Sequence, residues 1–171
     1  MDSAAIAEHI PRLRRYARAL AGDSHRADDL VQDTLERALT KFHLWRHGSD
    51  LRAWMFSIMH NVFINQLKSR RELELDEATE AALESAPQSD PLQLRDLDAA
   101  LRRLPAEQRE VLLLVGLEQL SYIEASQALD VPLGTVMSRL SRGRERLRVL
   151  MSMSGANVPD ANQATNLKAV K

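Results

Sequence analysis

The arginines between residues 139 and 148 are the side chains whose type and spacing most directly suggest a chemistry. Five arginines stand there against a single acid, Glu145. A guanidinium can bond a guanine edge with two hydrogen bonds and can also hold a phosphate. The candidates for contacts with duplex DNA are Thr135, Ser138, Arg139, Arg142, Arg144 and Arg146. The alternative interpretation is a helix whose charged face is simply solvated.

The residues around these arginines predict a helix-turn-helix. Ser121 and Glu124 have the spacing of a capping box that starts a helix. Asp130 begins the turn, and Pro132 stands where a second helix would have its first residue. The apolar stripe of that second helix comprises Val136, Leu140, Leu147 and Leu150. This arrangement would present the opposite, arginine-rich face to a DNA groove.

A second candidate surface lies on a long helix that we expect from about Leu51 to Arg71. One stripe of it carries an aromatic ring, two amides and a lysine, namely Trp54, Asn61, Asn65 and Lys68, and the basic residues Arg70 and Arg71 follow at its end. Such a surface could stack on an unpaired base, bond its edge and hold a phosphate. The alternative is that Trp54 and Phe56 belong to the hydrophobic core and that the asparagines only face solvent.

The preceding predicted helix, capped by Ser24, has the opposite character, because one of its faces is rich in carboxylates. The residues concerned are Asp28, Asp29, Gln32, Asp33 and Glu36. A solvated face would look the same. As a partner surface, it would suit a basic helical hairpin, with the charges setting specificity and association rate.

Catalysis, cofactors and metals find little support in the sequence. The five histidines are scattered, no glycine-rich phosphate loop or nucleophile elbow is present, and there is no cysteine. His43 and His47 are four residues apart, but Gly48 follows and no third ligand is near. We therefore expect a protein that is not an enzyme and that binds neither metal nor cofactor.

Charge and apolar spacing predict two all-α domains. Residues 1–71 carry a net charge of +4, residues 72–91 contain seven acids and no base, and residues 92–150 carry a net charge of +1. We expect domains at 1–71 and 92–151, a flexible acidic linker at 72–91 that lets them move independently, and a disordered tail at 152–171. No apolar run is long enough to cross a membrane, which favours a cytoplasmic protein without membrane insertion.

Taken in order, these segments make the chain resemble the extracytoplasmic-function sigma factors of bacterial RNA polymerase over about residues 6–150. The segments that carry the resemblance are Ala27-Asp28-Asp29-Leu30-Val31-Gln32-Asp33-Thr34, Leu51-Arg52-Ala53-Trp54-Met55-Phe56-Ser57-Ile58, Asn61, Leu104-Pro105-Ala106-Glu107-Gln108-Arg109-Glu110-Val111-Leu112, Leu133-Gly134-Thr135-Val136 and Ser138-Arg139-Leu140. Each segment is moderately specific, and their order and spacing together are strongly so. The chain departs from the family pattern at Met137, where a basic residue is usual, and at His60.

The resemblance implies a role for each segment. Residues 24–42 are similar to the helix that docks on the β′ clamp helices of core polymerase, and the β flap is a second expected contact. Residues 51–71, with Arg52 among the DNA contacts, are similar to the part that melts and binds the minus-ten element. Residues 121–148 are similar to the part that binds the duplex minus-thirty-five element. The acidic linker corresponds to the strand that family members direct toward the RNA exit path.

These observations predict a sigma factor that directs core polymerase to promoter DNA and is held inactive by an anti-sigma factor. Two alternatives stay open. The first is a sigma-like decoy that binds an anti-sigma factor and never touches DNA, although its arginine stripe would then have no purpose. The second is a dimeric helix-turn-helix repressor.

Overall fold

The computed structural model describes residues 2–76 and 92–153, and every element in these two ranges is helical. The predicted all-α class is confirmed. The first half contains α1 (Asp2–Ala7), α2 (Ile10–Ala21), α3 (Ser24–Lys41), a 3₁₀ turn (Phe42–Leu44) and α4 (Leu51–Asp76). The second half contains α5 (Leu92–Arg102), α6 (Ala106–Leu112) with a π-helical turn (Leu113–Leu117), α7 (Tyr122–Leu129) and α8 (Leu133–Met153).

The first half begins with two separate helices, α1 and α2. Pro11 stands in the first turn of α2 and has no N–H with which to continue a preceding helix. Asp23, rather than Ser24, caps α3, since its carboxylate accepts a hydrogen bond of 3.1 Å from the backbone N–H of His25.

The long helix α4 is the central element of the first half. It ends at Asp76 instead of Arg71, so the first five residues of the acidic segment 72–91 are helical. Its buried side packs against α3, and the ring of Phe56 lies 5.0 Å from that of Tyr16 on α2. Residues 77–91 and 154–171, which hold the rest of the predicted linker and almost all of the predicted tail, lie outside the described residues.

The second half is a small helical bundle in which α8 packs against α5, α6 and α7. Its core includes Leu104, Val111, Leu129, Val136 and Leu140, all at most 3% exposed. None of the helices in the described parts of the chain is long and apolar enough to cross a membrane.

The two halves pack against each other. The helix α7 lies along α4, and the π-helical turn after α6 contacts α2. The expectation that the halves move independently therefore does not describe this structure, in which one hydrophobic core runs from Ile6 to Leu150. Charged side chains of both halves also meet in this interface. The acidic charge of the segment 72–91 gave no reason to expect that contact.

Candidate nucleic-acid interface

The predicted helix-turn-helix is formed by α7, a tight turn and α8. The hydroxyl of Ser121 accepts a hydrogen bond of 3.1 Å from the N–H of Glu124, whose carboxylate accepts one of 2.7 Å from the N–H of Ser121. Asp130 adopts a left-handed conformation with φ of 51°, which ends α7 and turns the chain into α8. The capping box and the turn predicted from the sequence are both confirmed.

The buried side of α8 fixes the orientation of its other residues. Val136, Leu140 and Gly143 are buried. A methyl group at Gly143 would stand 3.1 Å from a side-chain carbon of Leu112, so this glycine permits close contact with α6. Because α8 is held on this side, its remaining faces project from the bundle.

Four of the predicted duplex contacts on α8 are exposed, namely Ser138, Arg142, Arg144 and Arg146. None of the three arginines has a hydrogen-bond or ion-pair partner among the residues that the structure describes. The three guanidinium groups are therefore available to an anion or to a base edge.

Arg139 and Thr135 differ from this group. The Nη2 of Arg139 lies 2.9 Å from a carboxylate oxygen of Glu107, and only 25% of its side chain is exposed. We predicted Arg139 on the exposed face of α8, opposite the apolar stripe, and this position is wrong. Arg139 lies only about 60° around the helix from the centre of the buried face, so its side chain can reach α6. Thr135 is half-buried.

Arg144 lies on the other flank of α8 from Arg142, since two residues along a helix rotate by about 200°. It lines an open cleft with Met137, Arg148 and Tyr122. Tyr122 of α7 is 37% exposed, and Met137 is 51% exposed. Sequence reasoning missed this partly apolar flank, because a tyrosine at helical spacing from Ala125 and Leu129 is typical of a core position.

The stripe predicted on α4 is present and mostly exposed. Asn61, Asn65, Lys68 and Arg71 are exposed, and their side chains have no hydrogen-bond partner within residues 3–75 and 94–153. Trp54 is half-buried, with its ring 6.3 Å from that of Phe42 in an edge-on arrangement. Trp54 is therefore both a packing residue and a partly open aromatic face.

The two other arginines predicted on this surface are partly engaged. Arg52 donates to the backbone carbonyl of Glu118 at 3.2 Å and also reaches Asp50, so it contacts the second half of the chain. Arg70 lines a cleft between α3 and α4 beside Arg26. Burial, and then the charge of Arg26, lowers the pKa of Arg70.

An aromatic cluster in the segment between α3 and α4 escaped the sequence prediction. The ring of Trp45 lies 5.4 Å from Phe42 and 5.0 Å from His47. The indole N–H of Trp45 is buried without a hydrogen-bond partner in the described part of the chain. Two tryptophans within ten residues could have suggested an aromatic cluster. The sequence of a loop, however, does not show which of its rings are in contact.

The carboxylate face of α3 is largely as predicted. Asp28, Asp29, Gln32 and Glu36 are exposed. Asp33 is half-buried, and its carboxylate accepts a hydrogen bond of 3.0 Å from the Nε2 of Gln66 on α4. Asp33 therefore has a structural contact that the other four lack.

Two protein families match the two halves separately. The family described as the Sigma2 domain of PhyR matches residues 6–60, and the family described as Sigma-70, region 4, matches residues 94–147. The second match contains the helix-turn-helix. The first match contains α2, α3, the aromatic cluster and the first part of α4.

Curated relatives match across both halves. The chain is 42% identical to the ECF RNA polymerase sigma factor EcfG of Rhodopseudomonas palustris over 150 residues, which are 86% of this chain and 83% of that protein. It is 34% identical to the sigma factor SigE of Mycolicibacterium smegmatis over 84% of this chain and 58% of that one.

A solved structure has the same arrangement of helices. It is the sigma factor RpoE of Bartonella quintana in complex with the anti-sigma factor NepR, at 35% identity and a TM-score of 0.78. The match covers 88% of this chain and 96% of the other, so it includes both halves in their relative positions.

Proposed function

The chain belongs to the extracytoplasmic-function sigma factors of bacterial RNA polymerase, and we propose that it recruits core polymerase to promoter DNA through three separate surfaces. The observation that carries the proposal is the exposure, on one chain, of unpaired arginines on α8, amides on α4 and carboxylates on α3. A dimeric repressor would need the first of these surfaces but has no use for the other two.

In this proposal, α8 binds the duplex minus-thirty-five element. Arg142, Arg144 and Arg146 supply the positive charge, and Ser138 can bond to a base edge or a phosphate. Arg139 and Thr135 then act by supporting the helix, because both are partly buried.

The surface on α4 is proposed to bind the minus-ten element as an unpaired strand. Asn61 and Asn65 can bond base edges, Lys68 and Arg71 can hold phosphates, and the open face of Trp54 can stack on a base. Arg52 and Arg70 are partly occupied by protein contacts, so we place them at the edge of this surface.

The exposed face of α3 is proposed to dock on the β′ clamp helices of core polymerase, with Asp28, Asp29, Gln32 and Glu36 facing basic residues. Asp33 stabilises the α3–α4 contact instead. Residues 1–71 and 92–151 would then be the polymerase-docking and minus-thirty-five domains, joined by the acidic segment 72–91, and the β flap would contact the second domain.

We further propose that an anti-sigma factor binds this chain, in the way that NepR is bound to RpoE in the solved complex. Regulation of this kind, together with use of the chromosome as template, implies a cytoplasmic protein. The chain would act by binding rather than by catalysis.

A second candidate function is a decoy that binds an anti-sigma factor. The match of residues 6–60 to the Sigma2 domain of PhyR favours it, because a PhyR from Bartonella quintana is described as an anti-anti-sigma factor and is solved in complex with the anti-sigma factor NepR. The 42% identity to EcfG across both halves and the free arginines on α8 favour the sigma factor instead. A decoy has no need of cations that reach a DNA groove.

Run-off transcription with purified core polymerase tests the proposal. Transcript that depends on adding this protein, from promoters selected out of genomic DNA, is the expected result. Bovine serum albumin and the Asp28→Lys/Asp29→Lys variant are the negative controls. No transcript from any template, combined with tight binding to a NepR-type protein, would support the decoy and reject the sigma factor.

A further inference from the structure

The N-terminal end of α8 differs from the rest of that helix in the side chains that it exposes. Its first six residues are Leu133-Gly134-Thr135-Val136-Met137-Ser138, and none of them is charged. The first arginine of the helix, Arg139, is paired with Glu107, so the unpaired guanidinium groups in the described part of the helix begin only at Arg142. The beginning of α8 therefore has no arginine of its own with which to bond a guanine edge or a phosphate.

This end is the part of a helix-turn-helix that contacts base edges. When the second helix of the motif lies in the major groove, its N-terminal residues face the bases. In α8 the side chains exposed there are Leu133, Met137 and Ser138, while Val136 is buried and Thr135 is half-buried. The chain would therefore have to distinguish bases with apolar side chains and hydroxyl groups.

Met137 is the most exposed apolar side chain at this end, at 51% against 43% for Leu133. It follows the buried Val136 by one residue and so lies about 100° around the helix from it. Side chains of a helix lean toward its N-terminus, which places Met137 over the turn that contains Gly134. A methyl group built on Gly134 would have no atom within 4 Å, so this turn leaves the methionine uncovered. Its unbranched thioether can adapt to the surface that it meets.

The charges around Met137 favour DNA over an apolar protein partner. Met137 lines the open cleft with Tyr122, Arg144 and Arg148. The one carboxylate that lines this cleft, Glu145, is already bonded to Arg148 at 2.7 and 3.2 Å, whereas Arg144 has no partner in the described structure. An apolar contact beside an unmatched positive charge suits a duplex, whose base edges lie close to phosphates.

We propose that Met137 is a specificity-determining residue that packs against the C5-methyl group of a thymine in the minus-thirty-five element. The inference rests on the proposed function, in which α8 binds this element. The thymine methyl is the apolar group that base pairs present in the major groove. An exposed thioether therefore favours a thymine over a cytosine at the position that it touches, without any hydrogen bond.

Replacing one thymine at a time by deoxyuridine tests the contact, because this change removes the C5-methyl group and keeps every base-pairing hydrogen bond. The protein is used as holoenzyme with core polymerase, on a duplex promoter obtained by run-off transcription, and fluorescence anisotropy measures binding. We expect one position in the minus-thirty-five element at which deoxyuridine weakens wild-type binding about fourfold, the effect of leaving one methyl group unburied. The same change should not affect Met137→Ala, which should already bind the unmodified promoter more weakly.

Val149→Ala is the matched control, because it shortens another exposed apolar side chain of α8 that does not line the cleft. It should retain the full effect of deoxyuridine. Met137→Leu should retain most of that effect, since an apolar side chain of similar volume remains. Met137→Ala should leave the melting temperature unchanged, because the side chain is exposed. It should also leave the salt dependence of binding unchanged, because no charge is removed.

The proposal is overturned if no deoxyuridine position weakens wild-type binding, or if the sensitive position weakens Met137→Ala by the same factor. A minus-thirty-five element without an A·T pair would overturn it as well. If Met137→Ala instead weakens association with core polymerase and keeps the methyl effect, the apolar end of α8 is a protein-binding surface and the proposal is wrong. Absence of promoter binding by every holoenzyme, including the wild type, would reject the proposed function and this inference with it.

Discussion

The surfaces of α4 and α8 differ in the side chains that each exposes. On α8, three arginines are exposed and unpaired within the described residues. On α4, the exposed stripe begins with a half-buried tryptophan and two amides, and its positive charge is confined to the C-terminal end. Arginines are present near the start of both helices, but Arg52 is held by the second half and Arg139 by Glu107.

This difference separates two kinds of nucleic-acid contact. Free guanidinium groups on a helix suit a duplex, whose grooves present base edges between closely spaced phosphates. Amides and an aromatic face suit a base that has left its stack. Binding through α8 should therefore depend steeply on salt, whereas the contribution of α4 should depend on whether the strand is unpaired.

The largest effect is expected from changes on α3, because neither DNA-binding surface can act if the protein does not bind core polymerase. Replacing Asp28, Asp29 and Gln32 by lysine should weaken association with core polymerase by a hundredfold or more, since like charges across an interface cost several kcal/mol. Helicity should not change, because all three side chains are exposed. Pull-down of the β′ subunit is the measurement. Glu8→Lys, at an exposed position between α1 and α2, is the control. Normal β′ binding by the triple variant would show that α3 does not dock there.

A change at Trp54 tests whether the α4 surface can be separated from the core of the first half. Trp54→Ala should lower the free energy of unfolding by about 2 kcal/mol, less than for a fully buried tryptophan, because only part of the ring packs on Phe42. Thermal denaturation measures this effect. Trp54→Phe should restore most of the stability. If the alanine variant is as stable as the wild type, Trp54 is a surface residue and its effect on transcription can be interpreted directly.

The α8 surface is tested by comparing two of its arginines. Arg142→Ala should weaken binding of the holoenzyme to duplex promoter DNA about tenfold, within the roughly 1–3 kcal/mol of a lost base contact, or lower the salt slope by about one if it contacts phosphate. Arg139→Ala should leave DNA affinity nearly unchanged and lower stability by at most about 1 kcal/mol, because it removes an ion pair with an exposed partner. Equal losses of affinity in the two variants would contradict the division between free and paired arginines.

The helix-turn-helix could be predicted from sequence because its signals are local. Ser121 and Glu124 are three residues apart, and Pro132 immediately precedes α8, so chain neighbours alone determine the capping box and the turn. The exposed carboxylates of α3 follow in the same way from helical spacing. These contacts join residues within one or two helical turns of each other, so a short stretch of sequence contains both partners of each contact.

The engaged arginines could not be predicted, because their partners are distant in the chain. Arg139 meets Glu107, and Arg52 meets the backbone of Glu118, 66 residues away. The packing of the two halves depends on Glu118 and Arg15, which are 103 residues apart and which single-helix patterns cannot pair. The acidic segment between the halves suggested separation, whereas the buried carboxylates that bring them together stand outside that segment.

The smallest effect is expected at Asn61, and it distinguishes the two surfaces most directly. Asn61 is exposed and has no hydrogen-bond partner in the described structure, so Asn61→Ala should not change stability. Loss of one base-edge hydrogen bond should slow promoter opening severalfold, at about 1 kcal/mol, while duplex binding is unchanged.

A promoter with a pre-melted bubble at the minus-ten element should therefore partly rescue Asn61→Ala, because opening is no longer required. The same template should not rescue Arg142→Ala, whose contact lies in duplex DNA upstream of the bubble. Transcription from matched duplex and bubble templates measures both. Asn65→Ala, one helical turn further along α4, should behave like Asn61→Ala. Equal rescue of the asparagine and arginine variants, or rescue of neither, would show that the two helices do not divide unpaired and duplex DNA between them.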